Sequence, residues 1–277
     1  MTQSNHVIRL KDLNIEAGGK TLLSNVTLAV KPKERVAIIG ANGAGKTTLL
    51  KALTGMVLPT SGSVEVLGKQ ITGQNIPGEL RTLRSRIGQV FQGLHLVGRL
   101  NVMENVLIGA LGRNASLLTC ARLFSADERE LAQAALEAVG MGHATQFRVD
   151  RLSGGERQKV AVARALNQNP ELILADEPTA NLDPNAAEEI ADLLAQIAEA
   201  RQVTVITVAH TLKLLPNLAE RVIGLKSGQI VFDKPIHAID ESEIKRLYQA
   251  DADNTSLPYA AVNTIRVTGS KSFSEWQ

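Results

Sequence analysis

The sequence predicts an α/β fold with a mixed β-sheet core, an antiparallel β subdomain at the N-terminal side and an inserted helical subdomain. The first third of the chain consists of short apolar runs separated by glycine and proline, a pattern typical of strands joined by turns. The stretch from about residue 76 to 150 is rich in helix-favouring residues. After residue 160, apolar strands alternate with helical segments, which indicates a parallel sheet with crossover helices.

Individual elements follow from the same patterns. Strands are predicted at residues 7–13, 22–30, 35–39 and 64–67 and, later in the chain, at 172–175, 203–208, 221–225 and 229–232. Helices are predicted at residues 99–112, 126–139, 153–167, 185–201 and 212–218. We expect one domain over residues 5–250, with the helical insertion at about 93–155 and a polar, poorly ordered tail at 251–277.

Composition excludes several classes of protein. The chain of 277 residues has a net charge of +2, so it lacks the uniform basic field of a dedicated nucleic-acid binder, and we expect no nucleic-acid partner. No apolar run reaches the length of a membrane span, and the N-terminus does not read as a secretion signal. Cys120 is the only cysteine and the five histidines are scattered, which argues against disulfides and against a zinc site.

The segment 40–47, GANGAGKT, matches the phosphate-binding pattern G-x-x-x-x-G-K-[ST] and lies between an apolar strand and an apolar helix. Glycines at positions 40, 43 and 45 let successive backbone N–H groups point inward around a triphosphate. Lys46 is expected at the β- and γ-phosphates, and the Thr47 hydroxyl at Mg²⁺. The candidate nucleotide-binding residues of this loop are Gly40, Asn42, Gly43, Gly45, Lys46, Thr47 and Thr48.

An apolar strand that ends in two carboxylates follows at 171–177. Asp176 at the strand tip is placed to hold Mg²⁺ in a protein with such a loop. Glu177 is the candidate general base that orients or deprotonates an attacking water. The alternative, two solvated acids in a turn before Pro178, would be ordinary for an isolated strand end.

The segment 152–158, LSGGERQ, allows two interpretations. Ser153 and Glu156 fit a capping box that starts a helix. The glycines Gly154 and Gly155 weaken a helix start unless a close approach is needed, and with the Ser153 hydroxyl they form a second anion site at a helix N-terminus. Because the loop at 40–47 already surrounds its own nucleotide, we expect a second copy of the chain to receive this site across an interface.

Taken together, the motifs resemble those of the nucleotide-binding subunits of ATP-binding cassette (ABC) transporters, over residues from about 5 to 240. The shared motifs, all in the order of the family, are GANGAGKT (40–47), VFQ ending at Gln92, LSGGERQ (152–158), LILADEP (172–178), NLDP (181–184) and TVAH ending at His210. The resemblance implies a P-loop NTPase of ABC type that binds ATP and Mg²⁺. It also implies a homodimer with two ATP molecules between the protomers.

The resemblance assigns three further residues. It implies that Gln92 contacts Mg²⁺ or the attacking water and senses the membrane partner, that Asp183 lies in the dimer interface, and that His210 lies against the γ-phosphate and positions Glu177. One feature departs from the family pattern, which places an aromatic near the start of the domain to stack on adenine. The matching position is Ala17, and the first aromatic of the chain is Phe91, so we expect aliphatic packing around the base or weaker binding.

Two segments, 91–113 and 228–248, resemble the ATPases of phosphonate importers. The resemblance implies a peripheral ATPase at the cytoplasmic face of the membrane, with permease subunits and, indirectly, a solute-binding protein as partners. Apolar residues of the first segment lie where the family receives a helix of the permease, although ordinary helix core is the favoured explanation for most of them individually; they are Leu94, Leu96, Val97, Val102, Val106 and Ile108.

Three other functions share the motifs. A soluble mechanical ATPase of DNA repair or chromosome organisation would carry long coiled coils, and the sequence has no heptad run. The translation factors of the superfamily need two cassettes, and one phosphate loop is present. An exporter or lipoprotein-release ATPase, or an importer of another solute, remains an alternative that these motifs do not separate.

Overall fold

The computed structural model describes residues 6–75, 77–112 and 124–249, so the predicted tail at 251–277 lies outside the described residues. The strands, in chain order, are β1 (Ile8–Ala17), β2 (Lys20–Val30), β3 (Arg35–Ile39), β4 (Ser61–Val66), β5 (Lys69–Gln70), β6 (Ile87–Val90), β7 (Leu172–Asp176), β8 (Thr204–Val208), β9 (Arg221–Lys226) and β10 (Gln229–Pro235). The α-helices are α1 (Lys46–Leu53), α2 (Pro77–Ser85), α3 (Val102–Leu107), α4 (Ala126–Ala138), α5 (Gly154–Leu166), α6 (Pro184–Arg201), α7 (Leu215–Leu218) and α8 (Glu241–Tyr248).

The strands form two sheets. An antiparallel sheet has the order β2-β1-β4-β5, and a second sheet has the order β10-β9-β3-β8-β7-β6. In the second sheet the five strands from β9 to β6 are parallel, and β10 pairs antiparallel with β9. The mixed core sheet and the antiparallel N-terminal sheet confirm the predicted fold class.

Two apolar clusters stabilise this arrangement. One lies between the two sheets and includes α1, with Ile8, Ile38 and Leu49 fully buried. The other joins the opposite face of the larger sheet to α3, α4, α5 and α6, and its members include Val106, Leu136 and Val160. The phosphate-loop helix and the segment 152–158 therefore belong to opposite faces of the same sheet.

The middle of the chain differs from its prediction in two places. The four residues of β6 form a strand inside the stretch predicted as helical, because Ile87 and Val90 are buried beside β7. The helix predicted at 99–112 is α-helical only from Val102 to Leu107 and continues as a 3₁₀-helix. A Cβ atom at Gly109 would lie 2.3 Å from the Arg164 carbonyl oxygen, so the chain tightens where it approaches α5.

Most other predicted elements lie within a few residues of their observed bounds, but β1 runs four residues beyond its predicted end, and β5 and α8 have no counterpart in the prediction. The capping box of Ser153 and Glu156 is formed, and α5 begins at Gly154. Asp183 caps α6 with Pro184 in the first turn. The segment 212–218 begins as a 3₁₀-helix and becomes α-helical at Leu215. The outer limits of the domain, 5–250, and those of the helical insertion, 93–155, stay predictions.

The apolar residues of 94–108 divide between core and surface. Val102 and Val106 are fully buried, as the helix-core interpretation predicts. Leu94 and Leu96 pack partly buried against the core. Val97 is 45% exposed, and Phe147, on a neighbouring loop whose carbonyl accepts the Val102 N–H, is 57% exposed. Among the described residues of this region, Val97 and Phe147 are thus the large apolar side chains that are exposed.

Candidate functional site

The phosphate loop connects β3 to α1 and depends on its glycines. A Cβ atom at Gly40 would lie 2.1 Å from the Leu225 carbonyl oxygen, and one at Gly45 would lie 2.8 Å from the Leu22 carbonyl oxygen. Gly45 caps α1 with φ 101°, in the left-handed region that favours glycine. The loop is therefore packed closely against β2 and β9.

This close approach gives a stability prediction. Gly40→Ala is expected to lower the free energy of unfolding by about 2–4 kcal/mol, because the clash is with a backbone carbonyl that cannot move aside. Gly78→Ala is the matched control, since a Cβ atom there meets nothing within 4 Å, and we expect a change within about 1 kcal/mol. Urea unfolding followed by circular dichroism measures both, and equal stability of the two variants would contradict the packing argument.

Lys46 is buried at the start of α1, with 6% of its surface exposed. Its Nζ donates to the carbonyl oxygens of Gly40, at 2.8 Å, and Ala41, at 3.0 Å. Burial lowers the pKa of Lys46, and the carboxylates of Glu177 and Asp176 oppose that shift. The ammonium group is thus held over the loop, in the position from which it can reach an anion bound there.

A cavity of about 410 Å³ opens above the loop. Its walls combine predicted residues with four that sequence reasoning missed, Thr21 and Leu22 of β2 and Ser227 and Gly228 of the turn between β9 and β10. The full lining is Thr21, Leu22, Asn42, Gly43, Gly45, Lys46, Thr47, Thr48, Glu177, Ser227 and Gly228. Gly228 N–H donates to the Ala44 carbonyl oxygen at 3.0 Å, which fixes this turn on the loop.

Among the described residues that line this cavity, none is aromatic. Ala17, where the family pattern predicts a stacking aromatic, is exposed at the end of β1. The cavity wall beyond the loop is instead formed by Leu22 and the short polar residues beside it. How a base is held here stays a prediction.

Asp176 lies at the end of β7 beside the loop. Its pKa is raised by burial, while hydrogen bonding from the Thr47 side chain opposes that shift. Asp176 Oδ1 is buried and has no hydrogen-bond partner in the described part of the chain. Because a buried carboxylate oxygen without a partner costs free energy, this atom fits a site for a cation. Hydroxyl and carboxylate oxygens are the ligands that Mg²⁺ prefers, so the residues present are compatible with that ion.

Gln92, Glu177 and His210 meet at one edge of the sheet. Each follows one of three neighbouring parallel strands, β6, β7 and β8, whose carboxyl ends lie side by side. Gln92 Nε2 donates to Glu177 Oε2 at 2.7 Å, and His210 Nε2 lies 2.6 Å from Glu177 Oε1. Both oxygens of this carboxylate are thus engaged, and Glu177 also lines the cavity above the phosphate loop.

The backbone at Glu177 is held in an unusual conformation. Its φ is 52°, in the left-handed region that non-glycine residues rarely adopt. The Glu177 N–H donates to the Val208 carbonyl oxygen at 3.2 Å, and the Glu177 carbonyl accepts from Ala180 N–H at 3.1 Å. The end of β8 and the turn from Glu177 to Ala180 therefore hold the backbone of Glu177, and with it the direction of the Glu177 side chain.

The residues of the segment 152–158 form a separate site. A cavity of about 280 Å³ is lined by Ser153, Gly154, Gly155, Glu156, Lys159, Asn181, Leu182, Asp183, Ala186 and Glu189. None of these residues lines the cavity above the phosphate loop. The Ser153 hydroxyl donates to Glu156 Oε2 at 2.7 Å, and Asp183 Oδ1 accepts from Ala186 N–H at 3.0 Å. Within one chain, Ser153, Gly154, Gly155 and Asp183 are not brought to the phosphate loop.

Within the described residues, no helix combines the length and the apolar character needed to cross a membrane. The model of a protein family described as "ABC transporter" matches residues 23–180. "Phosphonates import ATP-binding protein PhnC" of Stutzerimonas stutzeri is 42% identical over 258 residues, which cover 91% of this chain and 93% of that protein. "Phosphonates import ATP-binding protein PhnC 1" of Ruegeria sp. is 42% identical over 230 residues, which cover 83% of this chain and 89% of that protein.

Solved structures show the same fold. The dimeric post-hydrolysis structure of the ATP-binding cassette MJ0796 bound to ADP and Pi has a TM-score of 0.72 and 31% identity, covering 84% of this chain and 100% of that one. The structure of cbiO1 from Clostridium perfringens, part of the ABC transporter complex cbiONQ, has a TM-score of 0.76 and 28% identity, covering 88% of this chain and 94% of that one. Motifs, fold and relatives agree, and the chain belongs to the ABC transporter family.

Proposed function

We propose that this chain is the ATP-hydrolysing subunit of an ABC importer that takes up phosphonates or a related phosphorus oxyanion. The observation that carries the hydrolytic part is the carboxylate of Glu177, held between Gln92 and His210 at the wall of the phosphate-loop cavity. The solute is suggested by relatives that carry the name of phosphonate import proteins across most of both chains.

The phosphate loop binds the triphosphate of ATP. Backbone N–H groups from Asn42 to Thr48 and the Lys46 ammonium surround the phosphates, and the N-terminus of α1 adds its partial positive charge. The ammonium group exchanges its contacts with the loop carbonyls for contacts with phosphate oxygens. Leu22 and Ser227 form the wall available to the base.

Thr47, Asp176 and Gln92 are the residues that would hold Mg²⁺. The orphaned Oδ1 of Asp176 and the Thr47 hydroxyl beside it supply the oxygen ligands, and the Gln92 side chain lies on the Glu177 carboxylate next to them. Bound Mg²⁺ would neutralise charge on the phosphate oxygens.

Glu177 accepts the proton of the attacking water, and His210 and Gln92 keep its carboxylate in place. Each carboxylate oxygen has one hydrogen-bond partner, which leaves a further lone pair on each oxygen to accept the proton of the water. The left-handed backbone conformation of Glu177 also contributes to the direction of the carboxylate, in addition to its side-chain contacts.

The second half of each active site comes from a second copy of the chain. Ser153, Gly154 and Gly155 at the N-terminus of α5, with Asp183 beside them, form an anion site that the chain's own phosphate loop does not reach. Two copies arranged head to tail place this site on the partner's nucleotide. The dimeric form of the cassette MJ0796 supports such an arrangement.

Ser153→Ala tests the shared site. It is expected to weaken ATP-dependent dimerisation by about tenfold or more while ATP still binds the monomer, because the lost hydroxyl would have hydrogen bonded to phosphate. Ser125→Ala is the matched control, since Ser125 caps α4 in the same manner and its loss costs only the cap, about 1 kcal/mol of stability. Analytical ultracentrifugation with ATP measures the dimer, and equal dimerisation of both variants would contradict the shared site.

The transport partners are a pair of permease subunits and, indirectly, a solute-binding protein, and the working location is the cytoplasmic face of the membrane. The experiment is reconstitution of the chain in proteoliposomes with its permease and solute-binding partners, with ATP supplied on the membrane face that carries the chain. We expect ATP hydrolysis to be stimulated by binding protein loaded with methylphosphonate and not by the unloaded protein. Stimulation by an unrelated solute would replace the phosphonate proposal with another importer, and solute movement away from the face that carries the chain would replace it with an exporter.

A further inference from the structure

Arg164, near the end of α5, is a buried cation bonded to a loop. The residue is 9% exposed, and burial lowers its pKa. Its Nη1 donates to the His95 carbonyl oxygen at 2.7 Å and its Nη2 to the Leu94 carbonyl oxygen at 2.6 Å. Among the described residues it forms no ion pair with a carboxylate, and a guanidinium stays charged in such a site. Because an unsatisfied buried charge is costly, moving the two loop carbonyl groups away from Arg164 would destabilise the fold.

The loop bonded to Arg164 has a conformation that its sequence disfavours. Leu94 has φ 56° and His95 has φ 48°, two consecutive non-glycine residues in the left-handed region. Each costs about 1–2 kcal/mol, and such conformations persist only where the surroundings impose them. The carbonyl groups that accept from Arg164 belong to these same two residues. Arg164 therefore holds the loop in its strained form.

Asn105, fully buried on α3, fixes the other end of the loop. Its Oδ1 accepts from Val97 N–H at 2.8 Å, and its Nδ2 donates to the Val97 carbonyl oxygen at 3.1 Å. The segment from Leu94 to Val97 is thus attached at both ends to helices. Gln92, which donates to Glu177, precedes this segment by two residues, so its position depends on where the loop is held.

We propose that Arg164 is a positioning residue that couples the anion site at the start of α5 to the Glu177 carboxylate of the same chain. The inference rests on the proposed head-to-tail dimer. α5 has 13 residues, about 20 Å of continuous helix, with Ser153 at one end and Arg164 near the other. When the partner's nucleotide draws Ser153 inward, α5 moves as a rigid element and Arg164 carries the loop and Gln92 with it. Nucleotide in one site thereby adjusts the water-activating group of the other.

The coupling predicts cooperative hydrolysis that depends on the guanidinium fork. Arg164→Lys keeps the buried charge but offers one donor group in place of two. We expect it to lower kcat by about tenfold with the KM for ATP changed by less than about twofold, because it misplaces Gln92 without touching the phosphate loop. The Hill coefficient for ATP is expected to fall toward that of independent sites.

A double-mutant cycle with Gln92→Ala is the decisive experiment. If Arg164 acts through Gln92, Arg164→Lys causes no further loss of kcat in the Gln92→Ala background. Asn105→Ser, which removes the two amide contacts to Val97 at the other end of the loop, is expected to show the same non-additivity. Arg84→Lys is the matched control, because Arg84 donates in the same forked manner to the Thr54 and Gly55 carbonyl oxygens, and we expect it to leave the Hill coefficient unchanged.

Three results would overturn the inference. Arg164→Lys with the kcat and Hill coefficient of the unmodified chain would show that the fork transmits nothing. An equal factor of loss in the Gln92→Ala background would show that Arg164 acts by another route. An equal loss of cooperativity in Arg84→Lys would reduce the effect to general destabilisation. Failure of the dimer proposal is seen separately, as an unmodified chain that neither dimerises with ATP nor hydrolyses it cooperatively.

Discussion

Glu177→Gln is expected to bind ATP normally, to accumulate as a closed dimer and to hydrolyse ATP about 10²–10⁴-fold more slowly than the unmodified chain. The substitution preserves the size of a side chain that accepts from Gln92 and lies against His210, so the cluster keeps its shape. An amide cannot take the proton of water, so binding continues to close the dimer while hydrolysis no longer reopens it. Single-turnover hydrolysis and sedimentation in the presence of ATP measure the two effects.

Glu220→Gln is the control for this experiment. Glu220 is 64% exposed and pairs with Arg35 at a distance from the cluster, so it tests the removal of one negative charge without the chemistry. We expect normal hydrolysis and no trapped dimer from this variant. A Glu177→Gln protein that turns over at the normal rate would show that another group accepts the proton.

Lys46→Ala is expected to lose most of its affinity for ATP. The ammonium group is buried over the loop, and a charged hydrogen bond to phosphate contributes about 1.5–3 kcal/mol, which corresponds to a loss of about 10- to 100-fold. The stability of the nucleotide-free chain should change little, because burying the charge itself is costly. The stabilisation that ATP gives in thermal unfolding should therefore be smaller in the variant, by up to about 1.4–2.7 kcal/mol for that loss of affinity.

Lys51→Ala is the matched control, since Lys51 is an exposed lysine five residues further along the same helix. Equilibrium titration with a fluorescent ATP analogue measures both variants. Equal affinities for Lys46→Ala and the unmodified chain would contradict the assignment of the phosphate loop as the nucleotide site.

The sequence predicts the parts of the site that are built from short, contiguous motifs. The phosphate loop requires glycine at defined positions, and the close approaches at Gly40 and Gly45 explain that requirement physically. The capping box at Ser153 is likewise local, because its two residues are one helical turn apart. Such features depend on the chain itself and little on its distant neighbours.

What the sequence does not predict depends on contacts between distant segments. Strand β6 has four residues, one of which is a glycine. It is a strand only because it pairs with β7, which lies more than eighty residues later in the chain. Its pairing explains why Gln92 reaches Glu177, a contact that the sequence analysis did not predict. The bonds from Arg164 to Leu94 and His95 join residues 70 and 69 positions apart, so no local pattern could reveal them.

In the proposed dimer, a complete catalytic site contains the phosphate loop of one chain and the Ser153 site of another. ATPase activity per chain, measured over a dilution series with sedimentation of the same samples, tests this arrangement. We expect activity to fall in proportion to the fraction of dimer and to vanish where only monomer remains. Constant activity per chain in samples that sediment entirely as monomer would contradict it.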